Sequence, residues 1–172
     1  MFYDLIPMAP SVAMRVSPDR RSLKDLQMHP QVVTTPPQIE WRLQDEFVGD
    51  WTWTVEMTRV VSRRARDVLE PALGPLDVVQ WLPATVRTVD DVPIDCWVMH
   101  FPAPPDIYDE RLTVFGPSGL PMRPVLSAQK LAGHEIVGPR SQSQTLVSAA
   151  VLTAMRAAGL TGYEILGSHT PA

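Results

Sequence analysis

The chain of 172 residues has one cysteine, Cys96, so it holds no internal disulfide. A single thiol fits a reducing compartment. No apolar run approaches the ~18 residues that a membrane-spanning helix needs. The opening stretch MFYDLIPMAPSVAMR has no basic segment ahead of an apolar core, so it does not read as an export signal. These absences predict a cytoplasmic protein with no membrane partner. Lysine is scarce: thirteen of the 15 basic residues are arginine, and 19 carboxylates bring the net charge to −4. Nucleic-acid binders present a basic face to phosphate, so a nucleic-acid partner is not expected.

Catalytic signatures are missing as well. His134 and Glu135 begin like a metalloprotease helix, but Gly138 stands where the second histidine belongs. The other histidines, His29, His100 and His169, show no ligand spacing. There is no Gly-x-Ser-x-Gly elbow and no phosphate-binding glycine loop. Gly159 and Gly162 form a Gly-x-x-Gly at a helix–strand junction, which reads as turn chemistry. Cys96 lies on an apolar strand pattern and reads as an inert buried thiol. The expectation is a non-enzyme with no cofactor and no metal.

What is present is a stretch that occurs twice. VSRRARDVLEPALGPLDVVQWLP starts at Val61 and VSAAVLTAMRAAGLTGYEILGS at Val147. In the first, Val61, Ala65, Val68, Leu69 and Ala72 recur at helical spacing; in the second, Val147, Val151, Ala154, Met155 and Ala158 do the same. Ser62 and Ser148 stand at the N-cap of each predicted helix, with no glutamate or glutamine completing a capping box. Pro71 stops the first helix, and Gly159 suits a left-handed cap on the second. Short apolar runs follow: Val78, Val79, Trp81 and Leu82 in one copy, Tyr163, Ile165 and Leu166 in the other. Each copy is a helix, a tight turn and a strand.

The paired Val-Ser helices, each followed by a strand, resemble an immunity-protein family of bacterial polymorphic toxin systems, immunity family eleven. The aromatic-Leu-Pro of that family is matched by Trp81, Leu82 and Pro83, and its following strand and acidic turn by IDCWVMHFPAPPDIYDER. Its closing Leu-Thr-Gly-aromatic element is matched by Leu160, Thr161, Gly162 and Tyr163. The resemblance covers Val55 to Leu166, and residues 1–50 match weakly. It implies a protein of bacterial competition and kin discrimination, which neutralises a cognate toxin by stoichiometric binding, nucleases being among the toxin classes.

The rest of the chain predicts strands at Phe2–Ile6, Ile39–Leu43, WTWTVEM, Thr85–Val89, Ile94–Phe101, Leu112–Phe115 and His134–Val137. The eighteen prolines, about twice the usual share, keep elements short. Residues Ala9–Pro37 read as loop, with one helical turn at Ser22–Met28, and Asp45, Glu46, Gly49 and Asp50 as an acidic turn. Residues Val125–Leu131 show no period. Arg59, Arg63, Arg64 and Arg66 read as the solvent face of the first helix. The fold class expected is α+β, a mixed and mainly antiparallel sheet with two short amphipathic helices in a single domain, 1–172.

Two groups are candidate partner-binding residues. Asp90, Asp91, Asp106, Asp109 and Glu110, with Tyr108 among them, would form a negative patch for a basic toxin. Trp51 and Trp53, on one face of the WTWTVEM strand, read either as core or as exposed anchors. Two other classes remain open: a small enzyme centred on His100 or His134, and a regulatory adaptor that binds through the tryptophan strand.

Overall fold

The computed structural model describes residues 1–8, 12–15, 29–43, 49–54, 58–138 and 144–172. The chain is α+β, with mainly antiparallel strands and short helices. The duplicated stretch folds as two copies of one helical unit. Helix α1 spans Arg63–Leu69 and ends in a 3-10 turn, Glu70–Ala72, that contains Pro71. Its counterpart, α3, spans Ala149–Ala157. Ser62 Oγ accepts from the Ala65 amide and Ser148 Oγ from the Val151 amide, so both serines are N-caps. Helix α3 closes with Gly159 at φ +64°: Gly159 N–H donates to Arg156 and Leu160 N–H to Met155. That paired bonding across a left-handed glycine is a Schellman stop.

The repeat is larger than its sequence signature. In the first unit, β4 (Trp51–Thr54), β5 (Val60–Ser62), β7 (Pro93–His100) and β6 (Gln80–Arg87) lie side by side, antiparallel, with α1 joining β5 to β6. In the second, β10 (Ile136–Val137), β11 (Thr145–Ser148), β1 (Phe2–Pro7) and β12 (Tyr163–His169) repeat that order, with α3 joining β11 to β12. The middle strand is β7 in one copy and the N-terminal β1 in the other. Matching anchors hold each cap. Asp50, just before β4, takes Ser62 Oγ on its carboxylate at 2.7 Å and Ser62 N–H on its carbonyl at 2.9 Å. Glu135, just before β10, takes Ser148 Oγ on its carboxylate and Ser148 N–H on its carbonyl at 2.9 Å.

The two units interlock. Asp77, in the turn after α1, accepts the Glu135 and Ile136 amides at 3.0 and 2.9 Å. Asp50 accepts the Thr161 amide, in the turn after α3, at 2.9 Å. A glycine sits at each crossing. A Cβ on Gly74 would lie 2.4 Å from the Gly133 oxygen, and one on Gly162 would lie 2.3 Å from the Trp51 oxygen. Between the units the two helical stripes bury Val61, Ala65 and Leu69 against Val147, Val151 and Met155. Each of the valines, Leu69 and Met155 contributes about 1.5–3 kcal/mol, and Ala65 about 0.8 kcal/mol.

Two further strands, β2 (Val12–Arg15) and β3 (Glu40–Leu43), close the first unit into a six-stranded barrel. Strand β3 runs parallel to β6 and β2 parallel to β4. Trp41, Val60, Leu82, Cys96 and Val98 fill the barrel. Strand β7 is covered on both faces, as its pattern predicts, with Cys96 and Val98 inside and Met99 facing the helices.

The architecture is therefore a barrel joined to a four-stranded sheet, and it corrects several local expectations. Residues Val12–Arg15 are strand where loop was expected. The expected strands at Val78–Leu82 and Thr85–Val89 are one strand, β6, which begins only at Gln80 and ends at Arg87, and in which Pro83 falls where β6 pairs with β7 alone. Thr52 and Thr54 are buried, because closure of the barrel covers their side of β4. Asp50 is buried and fully engaged. Arg59 is half-buried instead of solvent-facing, donating to the Gln144 carbonyl and stacking over Phe101, and desolvation of its guanidinium lowers its pKa to about 10. Arg64 reaches across to the carbonyls of Ala158 and Gly159 at the end of α3. Residues 125–131 include a short helix, α2 (Ala128–Leu131), capped by Ser127. The helical turn expected at Ser22–Met28, and Asp45 and Glu46, lie outside the described residues.

Candidate interaction surface

After β7 the chain leaves the barrel and folds over the second unit. Pro102, Pro104 and Pro105 prevent further pairing, and Ile107 plugs a small core with Phe2, Leu126, Leu131 and Val137. Two aspartates then shape the backbone. Asp106 Oδ1 accepts the Tyr108 amide at 3.3 Å, and Asp109 Oδ1 accepts the amides of Arg111 and Leu112 at 2.8 and 3.0 Å. These are Asx turns, in which a short carboxylate satisfies amides that no strand partner reaches. Thr113 Oγ1 both donates to the Val125 carbonyl and accepts its amide, each at 3.0 Å, tying the base of the loop together.

From that base rises a two-stranded hairpin, β8 (Val114–Phe115) and β9 (Pro121–Arg123), turned at Gly119 with φ +76°. It pairs with neither the barrel nor the sheet. Its apolar side chains face outward: Leu112, Val114, Phe115 and Leu120 are exposed and Met122 is 71% exposed. Tyr108 meets Phe115 edge-on, with ring centroids 6.3 Å apart. A clustered apolar surface with a polar rim marks an interaction site more strongly than scattered apolar residues do.

Around it stand three carboxylates, Asp106, Asp109 and Glu110, and three bases, Lys130 and the exposed Arg111 and Arg123. Lys130 Nζ binds Asp106 Oδ2 at 2.5 Å and Glu110 Oε1 at 3.0 Å. The lysine contact holds the Asp106 carboxyl below its ordinary value. Burial pushes the Tyr108 phenol up, with the charges of Asp4 and Asp106 acting in the same direction.

The predicted acidic residues thus fall into two groups. Asp106, Tyr108, Asp109 and Glu110 share the base of the hairpin. Asp90 and Asp91 sit at the β6–β7 turn, at the opposite end of an eight-residue strand, roughly 25 Å away along the extended chain. Asp91 adopts φ +66° and binds Arg42 at 2.5 Å and Arg87 at 3.7 Å, so its charge is locally met. The single patch expected of all five carboxylates does not form, because β7 separates them. Trp51 is 2% exposed, packed between the units, and is no surface anchor. The side chain of Trp53 lies outside the described residues. The apolar hairpin face was missed in the sequence. Its signal was there: apolar residues on both sides of the Gly116–Gly119 turn, with no core left for them.

The titratable groups named for catalysis are tied into the fold. His100 Nε2 donates to the Gln31 carbonyl at 2.8 Å, and burial lowers the imidazole pKa. His134 Nδ1 bonds the fully covered carboxylate of Asp77 at 2.8 Å, which also takes three backbone amides, from Gly74, Glu135 and Ile136. The pair is a clasp between the units. Burial pushes the Cys96 thiol up to about 12, the reverse of nucleophile activation. Among the described residues no three His, Cys, Asp or Glu side chains gather as metal ligands, and no helix is long and apolar enough to cross a membrane. The chain matches no family model and no curated protein.

Proposed function

We propose that this chain is a cytoplasmic immunity protein that binds a basic cognate toxin and blocks it stoichiometrically, without catalysis. The observation that carries the reading is the unpaired hairpin, whose exposed Leu112, Val114, Phe115, Leu120 and Met122 rise from the carboxylates of Asp106, Asp109 and Glu110. An exposed apolar centre with charges of both signs around it suits a protein partner. The apolar contacts supply affinity, and opposite charge speeds encounter. The paired Val-Ser helices that resemble immunity family eleven give the reading its biological setting. A stable complex would bury about 1,600 Å² in total, so the hairpin would be its centre and the surface around it the remainder.

The test is co-expression with the protein encoded immediately beside this chain. Cell survival and a one-to-one complex are the expected results. A harmless neighbour, or a toxic one that forms no complex, would refute the proposal.

A further inference from the structure

Among the described residues the two units end differently: β6 has a strand on its outer side and β12 has none. In the first unit the outer side of β6 is occupied. Thr85 N–H donates to the Ile39 carbonyl at 2.9 Å, and β3 pairs in parallel from Glu40↔Thr85 to Arg42↔Arg87. Further along, the Gln80 amide holds Val33 by both backbone groups, accepting its N–H at 2.8 Å and donating to its carbonyl at 3.2 Å.

The counterpart of β6 is β12. By register, Gln80 and Trp81 correspond to Glu164 and Ile165, Leu166 is the extra residue of a bulge opposite Asp4 and Leu5, and Val79, Trp81 and Tyr163 pack on the same core. Among the described residues β12 pairs with β1 alone. Leu166 is 55% exposed, and Glu164, exposed, stands where Gln80 holds its neighbour in the first unit. The backbone faces the same way. Met8 N–H donates to the Gly162 carbonyl, so alternation along an antiparallel pair turns the N–H and C=O of Ile165 toward the open side.

The far end of β12 leads toward the base of the hairpin. His169, at the end of β12, bonds Asp4 at 2.6 Å. The residues after it run to Ala172, whose N–H donates to Leu126, and Leu126 bridges to Tyr108 at the hairpin base.

We propose that the toxin adds an extended segment to the open edge of β12, as β3 adds to β6, with a basic side chain at Glu164 and apolar side chains against Ile165 and Leu166. The inference rests on the immunity reading and names its binding mode. Strand addition draws affinity from main-chain hydrogen bonds, and selectivity from alternate side chains. Glu164 has no base beside it among the described residues, so its charge is available to the added strand.

The experiment is calorimetric titration of the purified neighbour-encoded protein with the wild-type chain and with Ile165→Pro, Ile165→Thr and Glu164→Arg. Proline at 165 removes an outward N–H and no bond to β1, as edge strands tolerate. The expected result is binding weakened at least 30-fold by Ile165→Pro and at least 10-fold by Glu164→Arg, with Ile165→Thr, which keeps the N–H and loses only apolar contact, weakened less than Ile165→Pro. If Ile165→Pro does not fold, Glu164→Arg decides. Wild-type affinity in the charge reversal and in any folded proline variant would overturn strand addition and leave the immunity reading standing. No complex with the wild-type chain would overturn the immunity reading, and the toxin as occupant with it. A wild-type dimer that Ile165→Pro dissolves would assign the edge to a second copy of this chain, against the proposal.

Discussion

Replacing Gly74 with alanine isolates the interlock between the two units. The residue needs no left-handed backbone, so the substitution carries no conformational strain of its own. The added methyl would sit 2.4 Å from the Gly133 oxygen and 2.9 Å from the Glu135 nitrogen, both backbone atoms. Ordinary contact needs about 1 Å more, which only retreat of the turn supplies. Retreat stretches the bond from Leu76 N–H to Gly133 and the two amide bonds that Asp77 accepts from the second unit. Overpacking costs about 1–3 kcal/mol, and a weakened charged hydrogen bond about 1.5 kcal/mol or more. The expected loss is about 3–5 kcal/mol, a fall in Tm of roughly 10 °C for a chain of this size. Gly159→Ala is the control. Its φ is +64°, and the nearest atom to an added Cβ is Arg64 Nη2 at 3.4 Å, so it carries left-handed strain of about 1–2 kcal/mol and little else. Urea unfolding of both variants checks the order. A Gly74→Ala protein as stable as Gly159→Ala would show that the crossings are not rigid, and the reasoning would fail.

Further outcomes follow from the same geometry. Ser62→Ala and Ser148→Ala should each cost about 1–2 kcal/mol in urea unfolding, since each removes a cap and leaves a partly or fully buried carboxylate short of a donor. His100 has a folded pKa below its ordinary 6.5, so the unfolded chain takes up the proton first and stability falls as pH drops below about 6.5. His100→Gln should flatten that slope between pH 5 and 7, and an unchanged slope would exclude His100 as its source. Cys96, with its thiol pushed up to about 12, should react with thiol reagents at pH 8 only after denaturant is added. Met122→Glu with Glu110→Arg should leave Tm within about 2 °C, because both side chains are exposed, while weakening toxin binding at least tenfold.

The duplicated helices were legible because local rules govern them. The spacing of Val61, Ala65 and Leu69 fixes a buried stripe, and Ser62 supplies the cap whatever lies further away. The central position of β7 was legible for a similar reason, since apolar residues on both faces demand cover on both faces. The second unit's completion by β1 was not, because pairing Leu5 with Thr145 and Ile165 depends on chain positions far apart in sequence. Nor was barrel closure, which buries Thr54 against its polarity and lets its hydroxyl accept the Thr58 amide at 2.8 Å. The hairpin lay between these cases. Its turn was visible at Gly116 and Gly119, but its isolation shows only once every other strand has found a partner.

That β1 completes the second unit sets the timing of biosynthesis. Strand β1 leaves the ribosome well before both strands that flank it, β11 and β12. At about 5–20 residues per second, some 140 residues of synthesis separate Asp4 from Thr145, a wait of roughly 10–30 s. During that wait the first unit has all its own strands but lacks the surface against which α1 packs. Synthesis of β11 and β12 is therefore the step that completes the second unit, and chains truncated before Thr145 would be expected to expose Val61, Ala65 and Leu69 to cellular proteases.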